Sequence, residues 1–222
     1  MSLKERLLDL KAELPPEVVL VAVSKTKPDE MVMEAYQAGH RDFGENKAQD
    51  LVARRERLPQ DIRWHMIGHL QSNKVKYLAP FVHLIHGVDS LKLLKVIQKE
   101  GVKNDRIIDC LFQIHIALEE TKFGLSEEEL GEILQSGTFG DLTHARIRGV
   151  MGMATYTEDS EMIREEFRRL KRIFDALKSS HFAGRDHFDI CSFGMSGDYR
   201  LAVEEGTNMV RIGSLIFGPR NY

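Results

Sequence analysis

The segment VVLVAVSKTKP, residues 18–28, joins an apolar run to a short polar stretch and a proline. An unbroken apolar run of this length is typical of a buried strand. Proline is favoured at the first position of a helix, and Gly39 supplies a stop signal eleven residues after Pro28. The segment therefore predicts one βα unit, with a strand over residues 18–24 and a helix over residues 28–38.

The same alternation recurs to the end of the chain. Further strands are predicted over residues 41–44, 63–67, 82–88, 107–116, 147–153, 188–193 and 209–217. The predicted helices between them cover residues 46–57, 72–78 and 91–100, a segment from 126 onward, and residues 162–177 and 198–205. Gly101 is expected to end one helix, and Ser126 with Glu129 forms a capping-box pattern at the start of another.

Eight such units without a linker or a low-complexity tract predict one α/β domain over residues 1–222. They favour a closed TIM-type (β/α)₈ barrel, and a doubly wound open sheet is the alternative. Residues 1–14 predict an amphipathic helix that precedes the barrel. The apolar face of this helix comprises Leu3, Leu7, Leu10 and Leu14.

The composition excludes several classes of protein. The net charge of −3 provides no electrostatic footprint for nucleic acid or an acidic membrane, and no apolar run is long enough to span a bilayer. Cys110 and Cys191 both lie in apolar stretches, which predicts buried, reduced thiols. We therefore expect a cytoplasmic protein without a nucleic-acid or membrane partner.

Lys25 stands at the end of the first predicted strand. An apolar setting disfavours the charged ammonium, so a lysine there is a candidate nucleophile that can form a Schiff base with an aldehyde. The alternative is a strand-end lysine whose amine simply reaches water.

Two stretches rich in small residues lie in or directly after the last two predicted strands. They are FGMSGD, residues 193–198, and RIGS, residues 211–214, and we call them the small-residue loops. TIM barrels often bind phosphate after strands 7 and 8, where backbone N–H groups and hydroxyls approach an anion. The alternative is a pair of ordinary tight turns.

Six ordered blocks carry a resemblance to a known family. They are VAVSKTKP (21–28), FGENKAQD (43–50), WHMIGHLQSNK (64–74), EETKFGL (119–125), FGMSGD (193–198) and MVRIGSLIFG (209–218). With these blocks the sequence resembles the pyridoxal phosphate homeostasis proteins (the YggS/PROSC family), whose fold is that of the barrel domain of alanine racemase. The cofactor implied by this resemblance is pyridoxal 5′-phosphate (PLP).

The resemblance also implies roles for individual residues. Lys25 would carry the cofactor as a Schiff base, Arg211 would face the pyridine nitrogen, and Asn46 would lie near the ring. The residues implied for the phosphate are Ser196 with the adjoining Gly197, Gly213 and Ser214. Lys122 matches a family lysine near the site. His115 and the stretch 154–156 depart from the family pattern, which affects the rim of the pocket.

The implied site favours binding over catalysis. An arginine can only donate to the pyridine nitrogen, which leaves that nitrogen unprotonated and weakens the ring as an electron sink. Alanine racemase takes its second base from another domain, whereas this chain ends at Tyr222, directly after the eighth strand. We therefore expect a protein that carries or buffers PLP without catalysing a reaction efficiently. The alternatives are a weak PLP-dependent amino-acid racemase and a different barrel enzyme that acts on a small phosphate compound.

The remaining groups of polar residues are weaker indications of function. His65, His69, His83, His86 and His115 are not expected to converge, so no metal site is predicted. PLP-dependent apoenzymes are the candidate recipients of the cofactor, and we expect a monomer.

Overall fold

The computed structural model describes residues 1–119 and 123–219, in which eight parallel strands close into a barrel in chain order. The strands are β1 Val19–Val23, β2 Asp42–Glu45, β3 Arg63–Met66, β4 Leu84–Val88, β5 Ile108–Gln113, β6 Ala145–Met151, β7 Ile190–Ser192 and β8 Met209–Ile212. Because β8 pairs with β1, with Arg211 opposite Val21, the sheet has no open edge. The predicted barrel is confirmed, and the open-sheet alternative is wrong.

Helices follow the strands and cover the outside of the barrel. They are α1 Leu3–Glu13, α2 Asp29–Gln37, α3 Ala48–Arg57, α4 Val75–Leu78, α5 Leu91–Lys103, α6 Glu127–Gln135, α7 Gly137–Gly140, α8 Ser160–Ser179, α9 Tyr199–Glu204 and α10 Ser214–Phe217. A 3₁₀ turn, Ser72–Lys74, leads into α4. None of the helices in the described residues is both long and apolar enough to cross a membrane.

The core has two layers because side chains alternate between the two faces of each strand. The inner layer fills the barrel with Val21, Leu84, Leu111, Met151 and Met209. The larger outer layer packs the other strand face against the helices, and the buried stripe of α8 belongs to it. Arg211 is two residues beyond Met209 on β8, so it also faces the barrel interior.

The helix α1 confirms the prediction for the start of the chain. Ser2 and Glu5 form a reciprocal capping box at its first turn. The four leucines of its predicted apolar face are all buried. The second predicted capping box is also present, because the Ser126 hydroxyl accepts from the Glu129 N–H.

Several predicted boundaries are wrong, and three of them are informative. Pro28 precedes α2 as its N-cap instead of occupying the first helical position. Gly101 does not end α5, which continues to Lys103; a Cβ there would lie 2.7 Å from the His144 carbonyl oxygen, so glycine permits close packing. The eighth strand ends at Ile212 and not at 217, because the last apolar residues form the short helix α10. Short apolar runs do not distinguish a strand from a helical turn.

Both cysteines are buried and free, as predicted. Burial raises the pKa of the Cys110 and Cys191 thiols, so neither is a reactive thiolate near neutral pH.

Candidate functional site at the C-terminal mouth

The predicted site residues lie at the carboxyl ends of four neighbouring strands, an end we call the C-terminal mouth. Lys25 follows β1, Asn46 follows β2, and the small-residue loops follow β7 and end β8. The barrel order places these four strands side by side as β7, β8, β1 and β2. Lys25 and Asn46 are both half-buried. Tertiary structure therefore gathers groups that lie more than 180 residues apart in the chain.

The small-residue loops contact each other directly. The backbone N–H of Gly213 donates to the Ser196 hydroxyl across 3.2 Å. Gly197 has open space where a Cβ would stand, and a Cβ at Gly213 would lie 3.1 Å from the Val23 carbonyl oxygen. Ser214 is exposed at the first position of α10. The loops thus present small side chains, two hydroxyls and close backbone, which are the groups that bind a phosphate.

Arg211, the first residue of the RIGS loop, is a buried cation with only 4% of its surface exposed. Its guanidinium donates to the Ser192 carbonyl oxygen at 3.1 Å, to the Ser192 hydroxyl at 2.6 Å and to the Gly152 carbonyl oxygen at 2.9 Å. Burial lowers the pKa of Arg211 to about 10, and the charge of Asp198 opposes that shift. Arg211 therefore stays protonated near neutral pH.

All three oxygens that Arg211 contacts are uncharged, although buried charges are usually paired. A guanidinium has five N–H donors, so these bonds do not exhaust it and donors remain for a ligand. The site fits a ligand that combines an anionic group with a further hydrogen-bond acceptor.

Lys25 occupies a tight turn, residues 24–27, that we call the Lys25 turn. The turn is closed by a hydrogen bond of 3.1 Å from the Lys27 N–H to the Ser24 carbonyl oxygen. Thr26 has a φ of 64°, in the left-handed region that a β-branched residue rarely adopts. Such a conformation costs about 1–3 kcal/mol and persists only where surrounding contacts hold it.

Arg54 of α3 supplies those contacts. Its guanidinium donates to the carbonyl oxygens of Ser24 and Lys27, the two residues at the ends of the Lys25 turn. It also donates to the Glu45 carboxylate, and Ser24 adds a hydroxyl bond of 2.6 Å to the same Glu45 oxygen. Arg54 thereby fastens the turn that carries Lys25 to α3 and to the end of β2.

Glu45 is almost fully buried beside this turn, with 1% exposed. Burial raises the pKa of Glu45, and the charges of Arg54 and Lys25 oppose the shift. The carboxylate is therefore electrostatically coupled to the lysine of the site. We call Glu45 and Arg54 together the buried ion pair.

The buried ion pair was not predicted from the sequence, although one local signal points to it. Ala48, Leu51 and Arg54 follow one another at intervals of three along α3, and all three are buried. An arginine in register with the core-facing positions of a helix needs a buried partner. The partner is the glutamate of the FGEN stretch, which only the folded chain brings within reach.

The rim of the mouth includes the positions where the sequence departs from the family pattern. A ring nitrogen of His115 lies 3.0 Å from the Glu119 carbonyl oxygen, and the Tyr156 N–H donates to the Glu119 carboxylate. The Tyr156 side chain is 97% exposed. Lys122 and Tyr222 lie outside the described residues.

The opposite end of the barrel, which we call the N-terminal mouth, contradicts one expectation. One side-chain ligand atom from each of Asp42, His65 and His83 lies within 4.8 Å of the others. The prediction that the histidines do not converge is therefore wrong for His65 and His83. Asp42 begins β2, His65 is the third residue of β3, and His83 directly precedes β4. These three strands pair as neighbours, which brings the side chains together.

The fold and the C-terminal mouth together define a class of protein, a barrel that presents a strand-end lysine, a buried arginine and two adjoining small-residue loops. The sequence profile described as alanine racemase, N-terminal domain, matches residues 1–221, and the chain belongs to this family. The pyridoxal phosphate homeostasis protein of Aquifex aeolicus (strain VF5) is 39% identical over 204 residues, 91% of this chain and 87% of that protein. The family resemblance is confirmed.

Solved structures agree with this assignment. PipY of Synechococcus elongatus PCC7942, in a structure with PLP bound, is 32% identical with a TM-score of 0.87, and the match covers 98% of this chain and 100% of that one. The alanine racemase of Clostridium difficile 630 is 16% identical with a TM-score of 0.81, and the match covers 100% of this chain and 57% of that one. The racemase likeness concerns the fold alone.

Proposed function

We propose that this protein binds PLP reversibly through Lys25 and serves PLP homeostasis as a carrier or buffer of the cofactor. The observation that carries the proposal is the buried Arg211 guanidinium at the start of the RIGS loop, which has no carboxylate as a hydrogen-bond partner among the residues that the structure describes. The names of the relatives and the PLP bound in PipY support the same cofactor.

Each residue has one task in this proposal. The cofactor supplies an aldehyde that an amine can capture reversibly, and Lys25 is that amine. The hydroxyls of Ser196 and Ser214 donate hydrogen bonds to the phosphate. Gly197 and Gly213 let the backbone approach it. Arg211 donates to the pyridine nitrogen, and Asn46 contacts the ring from the end of β2.

The same arginine argues against efficient catalysis. Arg211 is protonated at neutral pH and offers only N–H donors. It could not accept a hydrogen bond from a protonated ring nitrogen, so it would favour the unprotonated form of that nitrogen. A ring with an unprotonated nitrogen withdraws electron density from a bound substrate less strongly. We propose one cofactor-binding domain over residues 1–222 that acts as a cytoplasmic monomer, with PLP-dependent apoenzymes as recipients.

The absorption spectrum of the protein tests the proposal. We expect stoichiometric PLP to give a visible absorption band that disappears on borohydride reduction, because reduction removes the conjugated carbon–nitrogen double bond. A protein that gains no such band from PLP, but binds other small phosphate compounds, would support the different barrel enzyme instead.

An exchange assay on the same preparation separates the carrier from the weak racemase. The loaded protein is incubated with L- or D-alanine in deuterated water, and deuterium at Cα and the enantiomer ratio are followed. We expect exchange far below the enzymic range of about 1–10³ s⁻¹. Racemisation at several per second that is lost in Lys25→Ala would establish the racemase.

The hydroxyls of the small-residue loops should determine phosphate affinity. A hydrogen bond to a charged group is worth about 1.5–3 kcal/mol, so we expect Ser214→Ala to weaken PLP binding roughly ten- to a hundredfold. Ser196→Ala should act similarly and also removes the acceptor of the Gly213 N–H. Equilibrium titration by fluorescence measures both, with Ser180→Ala on the exposed end of α8 as the control. An unchanged dissociation constant for PLP in the Ser196→Ala/Ser214→Ala double variant would place the phosphate elsewhere.

A further inference from the structure

The N-terminal mouth gathers three potential metal ligands on the side of the barrel opposite the proposed cofactor site. Asp42 and His65 are buried on β2 and β3, and His83 is exposed directly before β4. They line one pocket of about 400 Å³. In the described part of the chain, no other group of histidine, cysteine and carboxylate side chains meets so closely.

The distances suit a divalent transition ion. His65 Nε2 lies 3.1 Å from Asp42 Oδ1. Two ligands of a tetrahedral zinc ion, each about 2.0–2.1 Å from the metal, lie about 3.3 Å apart. An ion can thus replace the proton between these two atoms with little movement. The His83 ring centroid is 5.2 Å from that of His65, and a His83 ring nitrogen lies within 4.8 Å of the other two ligand atoms.

The two buried ligands are held in place by a second layer of contacts. His65 Nδ1 lies 2.9 Å from His86 Nε2, so a ring with its proton on Nδ1 presents the Nε2 lone pair to the pocket. Arg63 donates to both oxygens of Asp42 at 2.7 and 2.5 Å. A carboxylate has about four lone-pair sites, so one remains on each oxygen. Ligating histidines and carboxylates are commonly oriented by such partners.

We propose that Asp42, His65 and His83 bind a divalent first-row transition ion such as Zn²⁺ at the N-terminal mouth. The fourth position opens to the pocket, where water completes the coordination. The site shares no residue with the proposed PLP site, so the two proposals stand or fall separately.

Titration with Zn²⁺ and with Co²⁺ tests the site on protein that has been stripped of metal by a chelator. Calorimetry measures the Zn²⁺ stoichiometry, and the visible spectrum of Co²⁺ reports its coordination geometry. The variants are His83→Ala, which removes an exposed ligand without disturbing the core, and Asp42→Asn. His69→Ala is the matched control, because His69 also pairs with an aspartate, Asp89, at 3.0 Å but outside this site.

We expect one Zn²⁺ per chain, an intense tetrahedral Co²⁺ spectrum, and affinity at least tenfold weaker in His83→Ala and in Asp42→Asn. His69→Ala should bind as the unaltered protein does. The proposal is overturned if no saturable 1:1 binding occurs, or if His83→Ala binds as tightly as His69→Ala. A circular dichroism spectrum unchanged in His83→Ala ensures that lost binding means a lost ligand and not a lost fold.

Discussion

Lys25→Ala is expected to abolish covalent retention of PLP after borohydride reduction, whereas Lys27→Ala retains it. Lys25 lies in the turn directly after β1, at the mouth that also holds the small-residue loops. Lys27 belongs to the same turn, but its ammonium donates a hydrogen bond of 2.5 Å to the Pro219 carbonyl oxygen. The pair of variants therefore compares two lysines of one turn, of which Lys27 has the Pro219 carbonyl oxygen as its partner.

Peptide mass mapping of the reduced protein gives the measurement. We expect the added phosphopyridoxyl mass on the peptide that contains Lys25, and no stoichiometric label elsewhere in Lys25→Ala. A label wholly on Lys74 or Lys122 would show that another lysine holds the cofactor. Equal labelling of the unaltered protein and of Lys25→Ala would contradict the assignment as well.

Arg54→Met is expected to lower the free energy of unfolding by about 3–5 kcal/mol, because it leaves Glu45 as a buried carboxylate without its cationic partner. The same change removes the donors that hold both ends of the Lys25 turn. PLP affinity should therefore fall in the fraction that remains folded. Urea denaturation followed by circular dichroism measures the first effect, and titration with PLP measures the second.

Arg57→Met is the matched control, since Arg57 lies one turn further along α3, is exposed, and pairs with Asp29 at 2.8 Å. Arg54 also lies 3.3 Å from Asp29, so the control separates the loss of an Asp29 contact from the loss of the Glu45 partner. We expect it to change stability little. The double variant Glu45→Gln/Arg54→Met should recover part of the lost stability, because no unpaired charge is then buried. If Arg54→Met were no more destabilising than Arg57→Met, the buried ion pair would not support the Lys25 turn.

Much of the fold is legible in the sequence because each βα unit carries its own periodicity. Strand and helix patterns alternate eight times, and the capping signals at Ser126 and the leucine face of α1 are local features. The errors occur where local signals are ambiguous. Gly101 is a residue type that often ends a helix, but here it permits close packing against His144. The apolar run after Gly213 is too short to distinguish a strand from a helical turn.

The sequence by itself determined the barrel, the lysine at the end of β1 and the small-residue loops, because these depend on residue types at fixed local spacings. Only the tertiary structure decided which distant groups meet. Barrel closure brings β8 beside β1. The packing of α3 places Arg54 on the Lys25 turn, and the pairing of β2, β3 and β4 gathers Asp42, His65 and His83 at the N-terminal mouth. No local pattern encodes such encounters, since each depends on the register of strands that are distant in the chain.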